Sequence, residues 1–437
     1  RLDGVTGVQT CALPICSERR GANAGKDDCG EPKIAGGRRM SKWEEKRLDD
    51  LVKVNPVTIS TKDGEREIKY IDISSVSRGV LEGYTTYKIA DAPSRAKREV
   101  KQGDTLFSTV RPNLRAYYYV RKCPDNAVAS TGFVVLRAKK TADKRFVYYL
   151  VTENSFVNWL TLVAKGSAYP AVDSNDFKKA KVTVPDLPTQ TRIADILSAY
   201  DDAIENNNRR IALLEKAAQE LYKEWFVRFR FPSHENAKFV NGLPEGWKVK
   251  RIATFTHVTD GTHDTPKQTD FGVPLITGRC ISNGFIDFDS AYMISEADHA
   301  SISKRSGLET GDILFSNIGT VGSTCIVDYY REFSVKNVII FKPESKTKTA
   351  YLYLLLTSQT MQDIFQAQTN GASQQFVGLT FIRRFKIVVP NEEMLSGFSE
   401  YVSPLLAERQ LLHKQSQNLA RQRDMLLPRL MSGKLEV

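Results

Sequence analysis

The chain has 437 residues, 41% of them hydrophobic and 26% charged, which is long enough for two or three domains with proper cores and ordinary for a soluble globular protein. No membrane span is present, and six cysteines without paired CxxC spacing exclude a thiolate metal site. A net charge of +11 favours a polyanionic partner, with a merely solvated basic surface as the alternative.

Residues 1–39 lack periodicity, are rich in Gly and charge, and precede Met40, the first methionine. The run from Gly4 to Ile15 resembles translated sequencing adapter, and its apolar part is too short and wrongly flanked for a signal peptide. The expectation is that Met40 is the natural start and that 1–39 is a non-native or disordered tail.

Residues 40–185 read as a first mixed α/β head. Its β-rich runs are Glu67–Ile73, Thr105–Val110, Gly132–Leu136 and Val182–Val184, with one helix over Arg145–Leu160. Arg111 and Arg115, with Asn113 between them and Tyr117-Tyr118-Tyr119 beside them, offer guanidinium forks that suit phosphates or guanine edges. Alternating tyrosines in a strand are more often half core and half surface. The loop Ala164–Pro170 adds Lys165, Ser167 and Tyr169 as candidate contacts.

From 186 to 230 the apolar spacing alternates between four and three: Ile193, Leu197, Tyr200, Ile204, Asn207, Ile211, Leu214, Ala218, Leu221, Trp225. That is a heptad seam, and it predicts a long helix that needs a partner.

Residues 231–390 read as a second head, with runs Val273–Ile276, Ile313–Asn317, Val338–Phe341 and Ile387–Val389 and one helix over Thr349–Phe365. The turn Asp260–Pro266 and the loop Asn317–Ser323 supply Thr262, His263, Asn317 and Thr320, with Lys267 and Arg279 nearby. Turn formation by Gly and Asx residues accounts for these segments at least as well as nucleic-acid contact. Gln374 and Gln375 have the amide geometry to pair with adenine.

Residues 391–437 carry a second seam in the same phase: Phe398, Val402, Leu405, Arg409, Leu412, Ser416, Leu419, Arg423, Leu426, Leu430. Pro404 is expected to kink or restart this helix. Pro185 falls on Pro390, an offset of 205 that also superposes Tyr70–Gly79 on Leu275–Gly284 and Phe146–Leu150 on Tyr351–Leu355. The Gly103–Ser108 run meets Gly311–Ser316 at 208. This is a domain duplication, too long for a solenoid period. The matched phase predicts that the two helices pair with each other, with Asn207 and the polar positions of the second seam limiting register slips. Two helices each packed on its own head is the alternative. An antiparallel pair would relate the heads by an approximate twofold axis, suiting duplex DNA with contacts one turn, about 34–36 Å, apart.

From Met40 to Val437 this organisation resembles the specificity subunit (HsdS) of type I restriction-modification systems. The resemblance is carried by the two Gly-Asp-x-Leu-Phe-Ser strands, the Asp260-Gly261-Thr262-His263 turn with Pro266, and the Pro185…Leu187-Pro188-x-x-Gln190…Ile193-Ala194 approach to the first helix. Glu224-Trp225-Phe226-Val227-Arg228-Phe229 and Leu243-Pro244-x-Gly246-Trp247 extend it. It implies an α+β architecture, with two target-recognition domains held apart by two long antiparallel helices forming an intramolecular coiled coil. Each head would read half of a bipartite site on double-stranded DNA. It also implies two methyltransferase (HsdM) and two restriction-translocase (HsdR) partner subunits in the cytoplasm, which would carry S-adenosylmethionine, ATP and Mg. The second half departs from the pattern in having Asn391-Glu392-Glu393-Met394 in place of the Pro-x-x-Gln approach, which puts its local packing in doubt.

Read as an enzyme, the chain lacks an Asn-Pro-Pro-Tyr/Phe or Asp-Pro-Pro-Tyr motif, since Asn55-Pro56 continues with Val57, and it lacks a phosphate loop ending in Gly-Lys-Ser/Thr. Five histidines offer no metal spacing, and Asp173, Asp176 and Lys178 read better as surface than as a nuclease cluster. The expectation is a non-catalytic DNA reader. The alternatives are a self-contained methyltransferase or nuclease, and a coiled-coil interaction protein without DNA.

Overall fold

A computed structural model of the chain describes residues 43–60, 66–166, 168–328, 331–369 and 376–437. The expectation for 1–39 lies outside them. Two repeated α+β units follow one another, each continuing into a long helix: a central one, Leu187–Tyr222, and a C-terminal one, Glu392–Met431.

Each head is closed by a ribbon in which its first strand pairs antiparallel with its last. Glu44–Arg47 lies against Lys181–Val184, and Lys248–Arg251 against Lys386–Val389. In Lys181–Val184 the two valines point inward and Lys181 and Thr183 outward, the period-two alternation of a half-covered strand. An antiparallel four-stranded sheet follows. In the first head its order is Val52–Val54, Phe133–Ala138, Thr105–Ser108, Tyr117–Tyr119; in the second it is His257–Asp260, Val338–Lys342, Ile313–Ser316, Thr324–Ile326. The shared Gly-Asp-x-Leu-Phe-Ser run builds the same device in both. Asp104 is buried, accepts from the Lys101 N–H at 2.8 Å and takes a two-pronged ion pair from Arg137 at 2.8 Å. Asp312 accepts from Glu309 N–H at 2.9 Å and from Lys342 at 2.7 Å. Burial raises the Asp312 carboxyl above its ordinary range, partly offset by Lys342.

The heads differ in their second sheet. The first has four strands, Thr85–Lys88, Glu67–Ile71, Ala127–Ser130 and Ala96–Glu99; the second has three, Tyr292–Ile294, Val273–Ile276 and Ser334–Val335. In the second head a helix, Glu296–Ser306, packs against Ser334–Val335 in place of the fourth strand. The single helix expected in each head is two: Lys144–Thr152 then Asn154–Val163, and Lys346–Thr357 then Gln359–Thr369. The breaks fall at Glu153 and Ser358, both with extended backbone, and the Glu153 carboxylate caps the helix that follows by accepting from Ser155 N–H at 2.7 Å.

The two long helices pair with each other, antiparallel. Ile193 and Leu197 share the first head's core with Leu430 and Met431; Tyr222 and Trp225 share the second head's core with Phe398 and Val402. Between these ends Ile211 and Leu214 meet Leu412. Ion pairs fix the register: Asp201–Arg423 at 2.6 Å, Arg210–Glu408 at 2.6 Å and Glu215–Arg409 at 2.6 Å. Tyr200, Ile204, Leu221, Leu405, Leu419 and Leu426 are half-buried along the same seam, and Asn207 is buried. Pro404 does not restart the C-terminal helix, which runs unbroken from Glu392 to Met431. The proline is exposed, while Val402 and Leu406 on either side are held in the second head's core. The departure at Asn391 is also absorbed: its side chain accepts from Met394 N–H at 2.9 Å, as Asp186 accepts from Thr189 N–H at 3.1 Å. Leu395 is buried where Gln190 stands in the first half.

Arg409 is the largest fully buried side chain, at 1% exposure. Its guanidinium pairs with Glu215, donates to Asn283 O at 3.0 Å and lies 3.9 Å over the Phe285 ring, on which His413 stacks at 3.7 Å. Gly284 is left-handed (φ +74°), and a Cβ there would collide with this guanidinium and approach the Tyr353 hydroxyl. Gly284→Ala is therefore expected to lower stability by about 2–4 kcal/mol, through overpacking and strain together, in urea unfolding. Burial, and then the charge of Arg409, holds the His413 imidazole below its ordinary range, partly offset by Asp328 and Asp287. The unfolded chain then binds more protons at mildly acid pH, so stability is present above the usual imidazole pKa and is lost as pH falls below about 6.5. His413→Gln should flatten that dependence in urea midpoints compared at pH 5 and pH 7.

Candidate nucleic-acid interface

In the four-stranded sheet of each head, three loops leave from one end. In the second head Asp260 is opposite Ile339 and Ser316 opposite Val338, and Gly261 N–H donates to Val338 O at 3.0 Å. The segments 261–267, 336–337 and 317–323 therefore emerge side by side. In the first head Ser108 is opposite Phe133, and Asn55 N–H donates to Val135 O at 2.8 Å, so the loops after Val54 and Ser108 share the corresponding end. Loops on a rigid sheet are where recognition groups are displayed with least loss of order.

The first head gathers its predicted residues there. Val110 and Lys165 both bridge to Ala171, and Arg111 N–H donates to Pro170 O at 2.7 Å. The Arg111 guanidinium donates to Ala168 O at 3.2 Å and sits 4.7 Å above the Tyr169 ring, a cation–π contact that fixes its plane. Arg115 donates to Asn154 at 2.7 Å. Both arginines are left-handed, φ 49° and 59°, flanking the turn Pro112–Leu114 whose proline is buried. Non-glycine residues in this region carry local strain that the surrounding fold must hold. Arg111, Asn113, Lys165 and Tyr169 are exposed; Ser167 lies outside the described residues.

Tyr117, Tyr118 and Tyr119 are half-buried and are not surface platforms. Tyr117 packs on Phe107 and Tyr148, and Tyr119 on Tyr148 beside Arg145. Arg121, two residues after Tyr119, fastens the head to the central helix through Asp202 and Glu205. Tyr149 donates to Asp201 at 2.6 Å; burial, reinforced by Asp201, pushes its phenol well above the ordinary range.

The second head divides its predicted residues. His263, Lys267 and Arg279 are exposed. Thr262 is buried, and its hydroxyl accepts from Asp264 N–H at 3.1 Å. Asn317 is buried, its amide donating to Val377 O at 3.2 Å, and Thr320, though exposed, donates to Gly278 O at 3.1 Å. These three side chains bond within and between their own loops, the turn-forming role that the sequence offered beside nucleic-acid contact. Gln374 and Gln375 lie outside the described residues. Sequence reasoning missed Asn337, left-handed at φ 53°, and Arg305 on Glu296–Ser306, both of which touch this loop cluster. An Asn between two strand-like runs was the available signal for the first. Nothing local marked the second.

The type I restriction modification DNA specificity domain matches residues 40–216 and again 244–418. The chain belongs to this family: it is a DNA-recognition component of a type I restriction-modification system, not a catalytic subunit. It is 25% identical over 426 residues to the type I restriction enzyme MjaIX specificity subunit of Methanocaldococcus jannaschii, covering 90% of this chain and 94% of that one. It is 22% identical to the HindI specificity subunit of Haemophilus influenzae, covering 91% and 100%. Its fold is shared with the S subunit of a type I system from M. genitalium (TM-score 0.54, 15% identity, 91% and 98% covered). The HsdS subunit from Thermoanaerobacter tengcongensis aligns over 90% and 97% at 20% identity, TM-score 0.38.

Substitution separates scaffold from display. Asn317→Ala should destabilise the second head by about 1–3 kcal/mol, the cost of leaving its buried partner unpaired. Arg111→Ala should change stability by no more than about 0.5 kcal/mol. Thermal melts of the two variants check both.

Proposed function

We propose that the two heads read the two halves of a bipartite, asymmetric DNA target, one half each, and that the helix pair sets the distance between them. The observation that carries this reading is the antiparallel pairing of two repeated helices, because it turns a tandem repeat into a near-twofold arrangement matching the local dyad of a duplex. At 1.5 Å per residue the 36-residue central helix is about 54 Å long. In this reading Lys and Arg contacts to phosphates supply most of the affinity and its salt dependence, and base edges are read from the loops that differ between heads. Arg111, Asn113, Arg115, Lys165 and Tyr169 serve the first half-site, and His263, Lys267 and Arg279 the second; Ser167, Gln374 and Gln375 stay with their loops as candidates. Catalysis belongs to two methyltransferase and two restriction-translocase subunits docked on this chain, which carry S-adenosylmethionine, ATP and Mg. The boundaries that serve as units are 40–185 and 231–390 for the heads and 186–230 and 391–437 for the spacer helices.

Exchanging residues 40–185 for the equivalent part of a relative, and sequencing the methylated sites made with the methyltransferase partner, should change one half of the target and preserve the other. Change in both halves would overturn independent reading. Methylation by the purified chain alone would overturn the reader assignment itself.

A further inference from the structure

Among the exposed basic residues of the second head, Arg305 is held in a way that a merely solvated arginine is not. Asp260 ends the strand His257–Asp260 with its side chain only 10% exposed, and its two carboxylate oxygens are divided between two cations or donors from different segments. One oxygen takes the Arg305 guanidinium from the helix Glu296–Ser306. The other faces the His263 ring at 2.8 Å, and the opposite ring nitrogen of His263 meets Asn337 at 3.0 Å. Asn337 sits in the left-handed turn before Val338, its N–H donating to Thr262 O at 3.1 Å, and the neighbouring Lys336 ammonium reaches Thr265. The carboxylate is buried while the side chains it holds, Arg305 at 54% and His263 at 57%, remain exposed. A planar guanidinium tethered through one terminal nitrogen keeps its other N–H groups for paired acceptors on guanine or the oxygens of a phosphate.

Among the described residues the first head has no such arrangement. Lys53 lies opposite Arg137 as His257 lies opposite Lys342, so the position equivalent to Asp260 is Pro56, which has no carboxylate, and the strand Ala96–Glu99 stands where the second head has its helix. The cluster therefore belongs to what distinguishes the heads, and it lies at the sheet end from which the other candidate loops emerge.

We propose that Arg305 is a DNA-contacting residue of the second head, specific to its half-site, and that Asp260 is the positioning residue that aims it together with His263. This rests on the reading of each head as a half-site reader.

The test uses the full chain in complex with its methyltransferase partner. Methylated sites are sequenced from a random duplex library, and binding to one cognate duplex is titrated over a salt series, for the unaltered chain, Arg305→Ala, Arg305→Lys and Asp260→Asn. Arg305→Ala is expected to keep a cooperative melt, lowered by the loss of one partner of Asp260, to leave the first half-site unchanged and to weaken the second by about tenfold or more. Relaxed choice at one base position, only partly rescued by Lys, assigns a base edge; a uniform loss with a salt slope shallower by about one assigns a phosphate. Either supports the proposal. Asp260→Asn should shift the second half-site in the same direction in protein whose melt stays cooperative. Unchanged affinity, salt slope and target in Arg305→Ala would overturn the inference while leaving the half-site reading intact. An unaltered complex that methylates no two-part motif would overturn that reading instead.

Discussion

The seam between the central and C-terminal helices is the constraint on which the rest of the molecule depends. Neither helix has an apolar face wide enough to stand alone in water, and short of tertiary packing such helices are marginal. Their pairing is apolar at intervals, Ile193 and Leu197 near Leu430, Ile211 near Leu412, Trp225 near Phe398. Between those points cross-seam ion pairs set the alignment: a slip of one turn would leave Arg409, sealed from water, without Glu215. A buried charge that loses its partner costs several kcal/mol, so Arg409 penalises wrong alignments more than it stabilises the right one. The seam also fastens both heads. Asp201 joins the two helices to Tyr149 of the first head, and Arg409 joins them to Asn283 and Phe285 of the second. Related junctions are thus built on charges of opposite sign.

The duplication separates what must stay the same from what is free to differ. The buried Asp104–Arg137 and Asp312–Lys342 pairs tie the same two strands of each four-stranded sheet, and the cap at Asp186 answers the cap at Asn391. These features hold a sheet end in place. What that end displays is unlike in the two heads: a strained pair of arginines beside Tyr169 in one, and a carboxylate-centred cluster reached by a helix in the other. The surface can therefore diverge without reopening the core.

Features governed by periodicity were legible in the sequence. The heptads and the strands Val273–Ile276 and Ile387–Val389 needed only apolar spacing to be seen, while the family resemblance needed particular motifs, such as the Gly-Asp-x-Leu-Phe-Ser run shared by the two halves. Helix breaks at Glu153 and Ser358 were not legible, because the apolar pattern runs through them and one capping residue decides the matter. Pro404 misled in the opposite direction: the lost hydrogen bond is real, but packing by Val402 and Leu406 outweighs it. Of the candidate contacts, Arg111, Asn113, Arg115, Lys165 and Tyr169 of the first head converge because one loop pair carries them. The burial of Thr262 and Asn317 was not legible, since small polar side chains in a Gly-rich loop read alike whether they face outward or turn inward to backbone groups. Arg305 was invisible because its partner, Asp260, is 45 residues away.

Leu430 and Met431 complete the core of the first head, beside Phe177, Val182 and Leu197. A ribosome reaches them only after it has made the whole second head. At roughly 5–20 residues per second, the earlier lobe waits on the order of ten seconds or more with an apolar cleft open. The later lobe, closed by Leu395, Phe398 and Val402 directly after its own last strand, has no such delay. Biosynthesis and completion thus run in reverse order: the lobe translated first is finished last, and nascent chains of this protein spend that interval exposed to chaperones and to one another.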